Sequence, residues 1–209
     1  MSITLILVII TCGISYYAFN NYGFMDKLIF NPYKVTKRNE YYRFVTSGFV
    51  HADFGHLIFN MLSLWFVGEQ IERLFAGLFG PSGTFYYLAL YILGIIIADI
   101  PTYLKHRNSS SYNSLGASGG VSAVLFAAFL YAPTMQICLY FILCMPGFIF
   151  AILFLGYSFY AGRRGMGYVN HSAHLYGSIF GMVFMAVVYP PSVPGFFQQV
   201  GSWISSFAI

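Results

Sequence analysis

What most constrains this chain is where its charges are absent. No charged side chain precedes Asp26, and charge-free runs extend from Phe54 to Gly68, Leu74 to Ala98, Asn108 to Gly162 and Gly165 to Ile209. A helix crosses a hydrocarbon core of about 30 Å with roughly 20 apolar residues, at about 1.5 Å each. Of the 209 residues, 58% are hydrophobic, 21% aromatic and 8% charged. A soluble domain carries about 25% charged residues, and a disordered chain is charged and poor in aromatics. Both classes are excluded, which leaves a polytopic membrane protein.

The runs divide into six expected spans: Ser2 to Phe19, Leu57 to Phe75, Phe85 to Leu104, Ser118 to Tyr131, Met135 to Tyr157 and Ala173 to Tyr189. The long run from Asn108 is broken at Ala132-Pro133, because proline costs about 3 kcal/mol inside a helix and pushes its predecessor out of α geometry. The last span stops at Pro190-Pro191. Residues 1–191 are thus read as one six-span membrane domain, and 192–209 as an apolar tail expected at the interface. The N-terminal run lacks the basic flank of a signal peptide, so it is read as a span. Cys12, Cys138 and Cys144 all sit in apolar stretches, which argues against a disulfide framework.

Polar side chains at membrane depth are costly and mark function by default. His56 and Asn60 open span two, Ser118 opens span four within SLGASGG, and His174 opens span six. Helices two, four and six enter from the same side, so all four groups share one layer. A serine needs an adjacent base to act as a nucleophile, and histidine is the usual one. Ser118 and His174 fill those parts if helices four and six touch, and small residues permit that. Gly177 and Gly181 lie on one face with His174, while Gly119, Gly120 and Ser122 thin the facing helix.

His56, Asn60 and the Ser118 N–H would supply oxyanion donors. The acid well inside a span is Asp99, on helix three, so a dyad is expected rather than a triad. His51 and His171 fall in loops and are read as structural. No HExxH motif and no pair of carboxylates sharing a site is present, so neither metal nor cofactor is expected. The net charge of +4 is carried by loops and does not suggest nucleic acid.

At these residues the sequence resembles the rhomboid family of intramembrane serine proteases, in its bacterial-type six-helix form, from Tyr41 to Gly181. The family's GxSG stands as Gly116-Ala117-Ser118-Gly119, and its HxxxN as His56 to Asn60 with His51 upstream. Its helix-six element stands as His174 with Gly177 and Gly181. Glu40 to Arg43 is similar to its E-x-W-R motif, and Gly68 with Glu72 to its Gly-x-x-x-Glu.

The resemblance implies an all-α fold with a long membrane-associated first loop, Ser118 as nucleophile and His174 as base. Gly116, Gly119, Glu40, Arg43 and Glu72 would be structural. It implies transmembrane proteins in the bilayer as substrates, cut near helix-breaking residues. Oligomeric state stays open. The family often stacks an aromatic ring, four residues after the nucleophile, on the catalytic histidine. Here that residue is Ser122, so its hydroxyl or a neighbouring aromatic would have to replace the ring.

Nine of the ten Lys and Arg lie in the odd loops, which by the positive-inside rule puts the active site in the cytoplasm. The resemblance implies an extracytoplasmic one, and that orientation is the expectation, in the cell membrane. The alternative to a protease is a non-catalytic rhomboid-like chaperone or scaffold binding client helices. A transporter would show repeats and paired broken helices, which the chain lacks.

Overall fold

A computed structural model describes residues 1–139, 142–164 and 170–207. The chain folds as α1 (Ile3–Phe19), three short helices α2 (Tyr22–Leu28), α3 (Pro32–Arg38) and α4 (Arg43–Thr46), then α5 (Phe54–Phe79), α6 (Gly83–His106) and α7 (Ser118–Tyr131). A hairpin of β1 (Gln136–Leu139) and β2 (Leu143–Pro146) precedes α8 (Gly147–Arg164), α9 (His171–Val188) and α10 (Ser192–Ser205). Two helical stretches, Phe54–His106 (α5, a 3-10 link and α6) and His171–Val188, are long and apolar enough to cross a membrane. Ile3–Phe19 and Ser118–Tyr131 are apolar but shorter.

Helix α7 is central, packed by α5, α6 and α9. It is built for that place: Gly119, Gly120, Ser122, Ala123, Ala127 and Ala128 are all buried on it. A Cβ at Gly177 of α9 would strike the Gly119 carbonyl, and one at Gly181 would strike that of Ala123. Backbone therefore lies on backbone along this seam, the close approach that small residues allow between membrane helices.

Helix α1 packs on α5, and Glu72 explains how. Its carboxylate accepts from the backbone N–H of Ile3 and Thr4, at 2.8 and 2.9 Å, and from the Thr4 hydroxyl at 2.7 Å. An anion at a helix N-terminus meets unsatisfied donors and the positive end of the dipole. Gly68, one turn earlier, leaves room for the Tyr87 hydroxyl and the Thr4 methyl.

Three expectations are corrected. The fifth span does not start at Met135. Gln136 pairs with Pro146 and Leu139 with Leu143 in an antiparallel hairpin, and the helix begins only at Gly147. Apolar periodicity alone cannot separate a short strand from a helix, and Pro146 closes the hairpin where a helix could not continue through it. Tyr140 and Phe141 of that span lie outside the described residues.

The cysteines also differ from expectation, since Cys138 and Cys144 face each other across the hairpin as a disulfide. Six residues apart, they are brought opposite by the hairpin register rather than by any cysteine framework. His171 is not in a loop but opens α9, because Asn170 caps the helix by accepting from Ala173 N–H at 3.2 Å. The tail, as far as residue 207, forms amphipathic α10. Trp203 packs on Phe148 there, and Gln199 donates to the Tyr131 carbonyl at 2.9 Å.

Candidate active site

The polar layer begins with the start of α5. Asp53 caps this helix by accepting from His56 N–H at 2.8 Å, which orients the turn bearing His56 and, four residues on, Asn60. The Asn60 side chain is buried and donates to the His56 carbonyl at 2.9 Å. One of its two N–H bonds is thereby spent within the helix, and the other is left for a ligand.

The strand of chain before α7 is held from three directions. Phe30 and Ser114 exchange backbone hydrogen bonds, at 2.9 and 3.0 Å. Gly116 N–H donates to the Ser47 carbonyl at 2.9 Å, and Ala117 N–H donates to His51 Nε2 at 3.3 Å. Gly116 has φ +119°, and a Cβ there would lie 2.6 Å from the His56 ring. Only glycine combines that backbone with that neighbour. Ser118 follows as the first residue of α7. A first helical residue has no intrahelical acceptor for its N–H, and among the described residues nothing else accepts from it.

His51, fully buried, acts on this loop rather than on a substrate. Ser15 Oγ lies 3.0 Å from His51 Nδ1 and 2.9 Å from the Phe49 carbonyl. The single Ser15 proton must go to that carbonyl, so His51 Nδ1 is the donor and Nε2 the acceptor for Ala117. Burial first, and then the neighbouring His56, push its imidazole down to about 3. The ring is thus a neutral clamp with a defined tautomer.

His174 projects from the first turn of α9. Asn170, which caps that helix, is itself fixed by two hydrogen bonds to the Thr102 hydroxyl of α6, at 3.0 and 3.2 Å. The His174 ring stacks on Phe154 of α8, with centroids 5.7 Å apart and planes 24° from parallel. Ser118, Ser122, His56, Asn60 and His174 all line one cavity of about 400 Å³, walled otherwise by Ser63 and by apolar groups that include Phe154, Ile137 and Cys138. Among the described residues no hydrogen bond joins Ser118 to His174. Catalytic hydrogen bonds are often long without substrate and tighten when it binds.

The supporting residues are placed as follows. Gly119 lies against Ala98, and Gly177 and Gly181 against the α7 backbone. Arg43 is buried, pairs with Glu40, and donates to the carbonyls of Asp26 and Ile29 at 2.7 Å. These two residues and Glu72 are remote from the cavity lining. Sequence reasoning missed Phe154, Ser15 and the Thr102–Asn170 pair. Asn170 alone carried a usable signal, an Asn immediately before a helical run.

A profile of the Rhomboid domain matches residues 38–191. The chain is similar to RHOMBOID-like protein 12, mitochondrial, of Arabidopsis thaliana: 28% identical over 157 residues, covering 68% of this chain and 45% of that one. It is 27% identical over 172 residues to Rhomboid protease GluP of Bacillus subtilis, covering 82% and 31%. To Presenilin-associated rhomboid-like protein A, mitochondrial, of Danio rerio, it is 28% identical over 153 residues, covering 66% and 35%. The chain thus spans less than half the length of these relatives. With the domain profile running from the end of α3 to just past α9, this chain belongs to the rhomboid family of membrane proteins.

Proposed function

We propose that the chain is a multi-pass membrane protein with six spans, α1, α5, α6, α7, α8 and α9, and that it is a serine endopeptidase cleaving other membrane proteins. One observation carries the reading: Ser118 and His174, from two helices in backbone contact, open into one apolar cavity together with His56 and Asn60. Helix α7 has 14 residues, about 21 Å, shorter than a core of about 30 Å. Its first residue would lie below the membrane surface, where a substrate helix could present an unwound segment.

In this reading the Ser118 Oγ attacks the scissile carbonyl carbon while His174 takes its proton. The carbonyl oxygen becomes an oxyanion, received by Ser118 N–H, the remaining Asn60 N–H and His56. His174 then returns the proton to the leaving amine, which departs with the C–N bond. Water, deprotonated by the same histidine, hydrolyses the acyl-enzyme. No cofactor takes part. Substrates are transmembrane segments that unwind easily, because a helix buries its own amides from attack.

The test is covalent labelling by a fluorophosphonate in detergent. Wild type is expected to label, and Ser118→Ala and His174→Ala to lose about a hundredfold or more, the usual worth of a nucleophile or base. Wild type that stays unlabelled beside an active rhomboid protease under the same conditions would overturn the protease reading.

A further inference from the structure

We propose that Phe154 is the positioning residue for His174, so that the orientation of the base is set by where helix α8 stands. This rests on the protease reading above. The ring belongs to a column: Phe150 and Phe154 stack at 5.5 Å and 24°, and Phe154 stacks in turn on His174 at 5.7 Å and 24°. Phe126 of α7 tilts against the same ring at 5.7 Å. An imidazole free to rotate about its χ angles presents its base nitrogen to Ser118 in only part of its range. A flat neighbour at stacking distance narrows that range to orientations parallel to itself.

Helix α8, which carries Phe154, is tied to α7 far less closely than α9 is. It packs on α9, with thinner contacts on α7 and on both strands of the hairpin. Its buried residues are the small ones Gly147, Ala151, Ser158 and Ala161, while Ile152, Leu153, Tyr157, Phe159 and Tyr160 are exposed. Helix α7, by contrast, is locked by backbone contact with α9. A ring carried on α7, at Ser122, would stay with the base through any motion of α8. A ring on α8 does not. Displacement of α8, as when a substrate segment enters the Phe150–Phe154 side of the cavity, withdraws the stack, and its return restores it. Base alignment is therefore coupled to reclosure of the cavity wall.

Labelling rates with the same fluorophosphonate, measured from pH 6 to 9, test this. Phe154→Ala is expected to label about tenfold more slowly than wild type, the scale of an aromatic contact, with an altered pH profile. Phe154→Leu, which keeps apolar bulk but no flat face, should be nearly as slow, and Phe154→Tyr should be restored. Moving the ring to the rigid helix, in Ser122→Phe/Phe154→Ala, should regain most of the rate. A wedge on the α8–α9 seam, Ala161→Phe, should slow the wild type several-fold more than the ring-relocated variant. Melting temperatures identify variants that do not fold.

Phe154→Ala or Phe154→Leu labelling at the wild-type rate with an unchanged pH profile would overturn the positioning role. Equal sensitivity of both backgrounds to the wedge would overturn the coupling. Either result requires a wild type that labels, so it is distinct from failure of the protease reading.

Discussion

The most exposed consequence of a single residue here is that of His51. Its Nε2 must stay unprotonated to accept from Ala117 N–H, and its imidazole is held down to about 3 by burial and by His56. In the unfolded chain a histidine titrates near 6.5. The folded value lies below the unfolded one, so the unfolded state binds the extra proton in between and stability rises with pH there. The contribution is complete above about pH 6.5 and is lost as pH falls from there toward 3, by up to about 1.4 kcal/mol per pH unit. Melting temperature in detergent should therefore drop steadily between pH 6.5 and 4. In His51→Gln, which keeps an amide acceptor but does not titrate, the baseline should fall and the slope flatten. A slope unchanged in that variant would show that other groups set the acid limit. The sequence shows His51 as a loop histidine upstream of the HxxxN element and gives it no role. The clamp depends on Ser15 and Phe49, which no local pattern connects to it.

At the scale of elements, the seam between α7 and α9 and the free face of α8 predict opposite responses to the same change. Gly181→Ala places a methyl into the Ala123 carbonyl, an atom that cannot move without shifting a helix. Gly156→Ala on α8 meets nothing within 4 Å and gains helix propensity of roughly 0.5–1 kcal/mol. Thermal unfolding should show Gly181→Ala several degrees less stable and Gly156→Ala equal to or above wild type. A tolerated Gly181→Ala would mean the two backbones are not in contact.

The same elements show what could be read in advance. Helix α7 was expected from Ser118 to Tyr131 and has those ends, because a glycine-rich turn and a proline punctuate it. His56, Asn60, Ser118 and His174 were expected in one layer from helix parity, and they line one cavity. The hairpin and its disulfide were not legible, because Met135 to Tyr157 is charge-free and largely apolar and the register depends on pairing. Phe154 was equally hidden, since nothing local distinguishes it from Phe150 or Phe159.

Over the whole molecule, charge differs between the ends of the bundle. The end that carries the cavity mouth holds nine of the ten Lys and Arg, with Arg73 the exception. The Cys138–Cys144 disulfide belongs to neither end, since Ile137 and Cys138 of the hairpin line the same cavity as Ser118 and His174. Lys and Arg flanking short loops collect on the cytoplasmic side. By that rule alone the charges predict Ser118 and His174 on the cytoplasmic side. It is the reverse of the extracytoplasmic site that resemblance implies.

Accessibility of single cysteines decides the matter without any need for activity. In a chain with Cys12 replaced by alanine, Ser82→Cys lies between α5 and α6 at the end away from the cavity mouth, and Ser111→Cys between α6 and α7 at the mouth; both positions are exposed. A membrane-impermeant maleimide added to intact cells should label Ser82→Cys at once and Ser111→Cys only after lysis. Cys138 and Cys144 should resist alkylation until reduced. The opposite pattern, with Ser111→Cys labelled from outside and Ser82→Cys only after lysis, would place the active site outward and leave the loop charges as anchors of the first short helices rather than topology signals.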